Sequence, residues 1–128
     1  MHHTIFLCFA LLIPLVFLGG CAPSASDAYH KITPQAGYEM MKKEPITLID
    51  VREPAEYQQG HIPGARLIPL GTIDNSVTAK LTDKKKPLIV YCRSGVRSKK
   101  AAMKLVELGY TDVRDMGGIL DWPYEIEK

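Results

Sequence analysis

The stretch "PLIVYCRSGVRSKKAAM", Pro87 to Met103, decides how this chain folds. Leu88 to Tyr91 are continuously apolar, as expected of a strand covered on both faces of a sheet. Cys92 closes that run. Arg93, Ser94, Gly95, Val96 and Arg97 follow, and from Arg97 onward the apolar positions take helical spacing. Ala101, Leu105 and Leu108 share one face of this helix, with Ala102 and Val106 beside it. The helix is predicted to begin near Ser98, and Gly109 to stop it. A buried strand that turns directly into an amphipathic helix is half of a βαβ unit.

The rest of the chain repeats that alternation. Tyr29 to Thr33 reads as an edge strand, and Thr33 caps a helix that Pro34 opens. "PITLIDV" is a β-branched run of strand length. "REPAEYQQG" is a short helix framed by Pro54 and Gly60, and "HIPGARLIPL" is a turn and a short strand ended by Pro69. "GTIDNSVTAKL" predicts a weak helix or an irregular crossover. "YTDVRDMGG" predicts a last strand and turn, and "ILDWPYEIEK" a terminal helix or half-turn. Strands alternating with helices predict an α/β domain with a mainly parallel sheet between two helical layers.

A chain of 128 residues suits one domain. A formal charge of +2 is too slight to argue for nucleic acid as a partner. Lys84, Lys85 and Lys86 read as a solvated loop. The sequence before Asp27 carries no charged residue, and it contains the apolar run "TIFLCFALLIPLVFLGGC". That run reads as a secretory segment outside the fold. Leu18-Gly19-Gly20-Cys21 resembles the lipobox of bacterial lipoproteins, which implies lipid on the Cys21 thiol and cleavage just before it. Diacylation there supplies the two chains that durable anchoring needs. The run is also long enough to cross a bilayer uncut, and a plain secretory signal is a third reading. The expected organisation is a signal peptide over 1–20, lipidated Cys21 and a tether over 21–28, and the domain over 29–128. All of these readings put the domain outside the cytoplasm, in a bacterial cell envelope facing the periplasm or the exterior.

Cys92 is then the one thiol left in the mature domain, since Cys8 goes with the signal and Cys21 with the lipid. Sites in open α/β sheets form beyond the carboxyl ends of strands, where Cys92 stands. Gly95 permits a tight turn that can aim several N–H groups inward. The start of the following helix adds unpaired N–H groups and a positive dipole end, and Arg93 and Arg97 add full charges. Such a setting favours a nucleophilic thiolate.

Four segments resemble the rhodanese family of sulfurtransferase domains. These are "LIDVREPAEYQQGHIPGA" (Leu48 to Ala65), "IVYCRSGVRS" (Ile89 to Ser98), the helix ending "LGY", and "DVRDMGGILDW" (Asp112 to Trp122). The resemblance runs from Tyr29 to Lys128. It implies a rhodanese-like three-layer fold with about five strands in its central sheet. It implies that Cys92 takes a sulfane sulfur from a small anionic donor such as thiosulfate, and passes it as a persulfide to cyanide or a thiol. Arg93, Ser94, Gly95, Val96 and Arg97 would bind the donor and stabilise the thiolate, supported by Asp50, Arg52 and Ser98. No metal or organic cofactor is implied. Phosphatases that resemble this fold use a loop one residue longer, so the short loop fits a single sulfur atom rather than a phosphate.

A persulfide relay carrier shares the same cysteine but would take its sulfur from a protein or polysulfide, and a one-domain chain is expected to leave Cys92 uncovered to it. A non-catalytic binding domain would be expected to lack the cysteine. Asp50 and Arg52 read as an ion pair bracing the loop. His61 reads as turn packing, because ligands at metal-site spacing are missing. Tyr57 reads as core, and Met40, Met41 and Met103 as packing. Trp122 reads as packing, near the pocket or away from it. Nothing in the sequence demands more than a monomer.

Overall fold

The computed structural model describes residues 25–128. The signal-peptide and lipidation readings for residues 1–20 and Cys21 lie outside the described residues. Among the described residues, no helix is long and apolar enough to cross a membrane.

Five parallel strands form one sheet in the order β1-β5-β4-β2-β3. They are β1 (Tyr29–Lys31), β2 (Thr47–Asp50), β3 (Arg66–Leu67), β4 (Leu88–Cys92) and β5 (Val113–Gly118). A single helical turn, α1 (Ala25–Ala28), leads into edge strand β1. The remaining helices are α2 (Pro34–Lys43), α3 (Pro54–Gln59) and α4 (Val96–Glu107). Thr33 caps α2 through its side chain, which accepts a hydrogen bond from the Ala36 amide at 3.1 Å. The expected crossover after β3 is two 3₁₀ segments, Leu70–Thr72 and Asn75–Ala79. The expected terminal half-turn is a 3₁₀ turn, Ile119–Asp121.

Alternation along β4 divides the core in two. Leu88, Val90 and Cys92 face a layer built from α4 (Ala101, Ala102, Leu105) and the 3₁₀ crossover (Ile73 between its two segments and Val77 in the second). Ile89 and Tyr91 face the opposite layer, with Met40 and Met41 of α2 and Tyr57 of α3. All five β4 residues are buried, which accounts for the unbroken apolar run. Met103 departs from the packing expected of it: it is 37% exposed, because it lies on the face of α4 turned away from Ala101, Ala102 and Leu105.

The topology sets where a site can form. From β4 the chain leaves through α4 to β5 on one side, and from β2 through α3 to β3 on the other. Since α3 and α4 cover opposite faces, the carboxyl ends of β2 and β4 border a crevice of the kind that binds ligands in such sheets.

Candidate active site

Cys92 ends β4 and the next three residues reverse the chain. Gly95 has φ of +105°, a left-handed conformation that a side chain would resist, and it serves as the N-cap of α4. The helix therefore starts at Val96, two residues before the predicted Ser98. The same turn aims the Gly95 N–H at the thiol: it donates to Cys92 Sγ at 3.0 Å. Of the several loop amides expected to point inward, that of Gly95 makes the hydrogen bond to sulfur.

β5 makes room for the turn. A register shift between Val90 and Cys92 places Gly118 opposite Cys92. A Cβ on Gly118 would run into the Arg93 carbonyl, so only glycine lets β5 pass this close beneath the loop. The Arg93 carbonyl also accepts the Leu120 amide at 3.2 Å. With the loop seated in this way Cys92 is 1% exposed, not uncovered as a one-domain chain suggested. Its side chain points into the α4 layer and its outer end lies under the turn.

The loop side chains divide by role. Arg93, Ser94 and Val96 are exposed. Among the described residues, no carboxylate lies within ion-pair distance of Arg93. Ser98 is buried, and its Oγ lies 2.7 Å from Asp115 Oδ1 and 3.0 Å from the Gly95 carbonyl. Asp115, itself buried, also accepts the Gly117 amide at 3.0 Å and the Tyr29 hydroxyl at 2.8 Å, with Lys31 Nζ 3.8 Å away. Burial and the Asp115 bond together push the Tyr29 hydroxyl up to about 12. A polar chain, buried at Asp115 and Ser98, thus runs from edge strand β1 to the backbone of the turn.

Arg97 is not free. Its Nη1 and Nη2 donate to the two carboxylate oxygens of Glu56 at 2.6 and 2.9 Å, a bidentate pair across the crevice from α4 to α3. The Arg97 bonds hold the Glu56 carboxyl down at about 2, and Glu56 in turn raises Arg97. Cys92 lies within the electrostatic reach of Arg97. Sequence reasoning missed Glu56 and Asp115. Glu56 had a signal, the Glu-Tyr of the Leu48 to Ala65 segment, but nothing local tied it to Arg97, 41 residues later.

Asp50 and Arg52 form the expected ion pair, with Arg52 Nη2 2.7 Å from Asp50 Oδ2. Burial works against the Arg52 charge, and the Asp50 bonds outweigh it. In register Asp50 lies beside Tyr91, so its side chain shares the face opposite that of Cys92. Arg52 donates further to the Gly60 carbonyl at 2.7 Å. The pair thus braces the end of α3. His61 stacks on Tyr57 at 3.7 Å, and its backbone pairs with Glu127. No group of potential metal ligands occurs among the described residues. Beside the loop lies a cleft of about 620 Å³, lined in part by Arg52, Glu56, Arg93, Leu120 and Trp122. Trp122 also meets the rings of Tyr38 and Tyr124 edge-on.

A parallel α/β sheet with a thiol at the mouth of its central strand, bonded by the amide that caps the next helix, defines a class of domains built around a strand-end cysteine. The family model for the rhodanese-like domain matches residues 33–124, and the chain belongs to that family. Thiosulfate sulfurtransferase GlpE of Pseudoalteromonas translucida is 36% identical over 96 residues, covering 74% of this chain and 90% of its own. Thiosulfate sulfurtransferase PspE of Escherichia coli is 42% identical over 73 residues, covering 57% and 70%. Among solved structures, a rhodanese with anions from E. coli superposes with a TM-score of 0.62 at 38% identity, over 66% of this chain and 99% of that one. A rhodanese-like domain protein from Staphylococcus aureus gives 0.68 at 31% identity, over 77% and 96%.

Proposed function

We propose that the protein is a sulfurtransferase that carries sulfane sulfur on Cys92 from thiosulfate to cyanide or a thiol. The observation that carries this reading is the Gly95 N–H donating to Cys92 Sγ at 3.0 Å, at the positive start of α4. In the first step the Cys92 thiolate attacks the outer sulfur of thiosulfate. The new bond is Sγ–S, the S–S bond of the donor breaks, and its electron pair leaves on sulfite. In the second step cyanide attacks the outer sulfur of the persulfide, the Sγ–S bond breaks, and thiocyanate departs from a regenerated thiolate. Each step balances with the thiol, the donor and the acceptor alone. The exposed Arg93 and the amides at the start of α4 offer positive charge to the donor and to departing sulfite.

The 1% exposure of Cys92 supports small donors over a relay in which another protein presents its sulfur. The names of the GlpE and PspE relatives point to the same donor. The lipobox at Leu18 to Cys21 supports a site of action in the cell envelope, with the domain held at the membrane by lipidated Cys21.

Thiocyanate release from thiosulfate and cyanide tests the reaction. The wild-type chain is expected to turn over, and Cys92→Ser to lose turnover at least a hundredfold with an unchanged circular-dichroism spectrum. Turnover by Cys92→Ser at the wild-type rate would refute the mechanism.

A further inference from the structure

The Arg97–Glu56 pair sets a carboxylate against the loop's second arginine, beside a site that must take up anions. Glu56 is ionised throughout the neutral range, as a carboxyl at its ordinary 4.5 would be, and the Arg97 bonds that hold it down at about 2 keep it so well into acid. Both terminal nitrogens of Arg97 are committed to it. Arg97 therefore brings no net charge to the crevice. Arg52 is likewise neutralised by Asp50, and Arg93 is left as the unpaired cation of the neighbouring cleft among the described residues. The local balance is near one positive charge, where the loop sequence alone suggested two.

We propose that Glu56 sets the donor charge that the site accepts, discriminating against dianions such as thiosulfate in favour of monoanionic sulfane donors such as organic thiosulfonates. This rests on the sulfurtransferase reading above. Coulomb energy scales with donor charge, so a fixed carboxylate at the mouth repels a dianion twice as strongly as a monoanion. A thiosulfonate, R–SO₂–S⁻, reacts by the same steps: Sγ takes its outer sulfur, the S–S bond breaks, and a sulfinate leaves with the electron pair. The donors also differ by one oxygen and an alkyl group, so the charge effect is read from the change that removing the Glu56 charge makes to each donor. Glu56 is a specificity-determining residue that acts on the donor through its field and through its grip on Arg97.

The test compares KM and kcat for thiosulfate and for methanethiosulfonate, with cyanide as acceptor, in the wild type, Glu56→Gln and Glu56→Asp. Gln can keep the bond that Oε1 accepts from the Glu53 amide, while losing the charge. In Glu56→Gln the thiosulfate KM is expected to fall roughly tenfold and the thiosulfonate KM roughly threefold, the square root that the charge ratio dictates. Glu56→Asp keeps the charge and is expected to keep the wild-type ratio of the two KM values. Circular dichroism checks the fold of each variant, and Glu56→Ala gives the same reading should Gln not fold. A thiosulfate KM in the neutral variant that is unchanged, raised, or lowered only as much as the thiosulfonate KM overturns the inference. Failure of the wild type to use either donor would instead refute the sulfurtransferase reading itself.

Discussion

At the scale of single residues, the site depends on close approach more than on bulk. Gly118 carries no chemistry, yet a methyl group there would occupy the place of the Arg93 carbonyl. Its backbone is extended, so alanine costs nothing locally and the whole penalty falls on the loop. Gly118→Ala is expected to cost about 1–3 kcal/mol of stability, in the range of other overpacking changes. The same variant should lower the rate of sulfur transfer at least tenfold, since the displaced carbonyl belongs to the turn that presents the Gly95 amide. Urea denaturation and thiocyanate release measure the two effects, and wild-type values in both would show that the loop does not need this contact.

At the scale of elements, α3 and α4 are joined at the mouth of the site through Glu56 and Arg97. The pair links their stability to pH. Glu56 sits at about 2 in the folded chain against an ordinary 4.5, so its contribution is fully present above 4.5 and is lost as pH falls toward 2. Urea denaturation across that range should find wild type and Glu56→Gln furthest apart above 4.5 and converging toward 2. A constant gap down to the lowest pH would show that the carboxylate charge contributes nothing. The elements themselves were legible in sequence because each carries a local signal: the unbroken apolar run of β4, the Thr33 and Pro34 start of α2, the Pro54 and Gly60 frame of α3. The helix start at Val96 was harder to place, since it depends on the φ of Gly95 and not on apolar spacing. The partner of Arg97 was invisible for a different reason. Pairing across the crevice depends on two crossovers leaving the sheet on opposite faces, and no local pattern records that.

At the scale of the whole molecule, the chain joins a rhodanese-like domain to an N-terminal sequence that resembles a lipoprotein signal. The N-terminal end of the described chain lies close to the site: α1 runs straight into β1, and Tyr29 and Lys31 of β1 both reach Asp115, which lies one hydrogen bond from Ser98. The fold was legible because the four quoted segments span the sheet from β2 to β5. The burial of Cys92 was not, because a single-domain outline says nothing of how deeply a strand-end thiol lies under its own loop. If Cys21 carries the anchor, Cys21→Ala expressed in a bacterium should move the protein from the membrane fraction to the soluble fraction. Fractionation by centrifugation reads that shift, and an unchanged membrane fraction would argue against lipid at Cys21.

The most direct test of the account is the mass of the Cys92 peptide after the protein meets thiosulfate. The account predicts that this peptide gains one sulfur atom, loses it again when cyanide is added, and shows no gain in Cys92→Ser. An unchanged Cys92 peptide under conditions where thiocyanate still forms would contradict it.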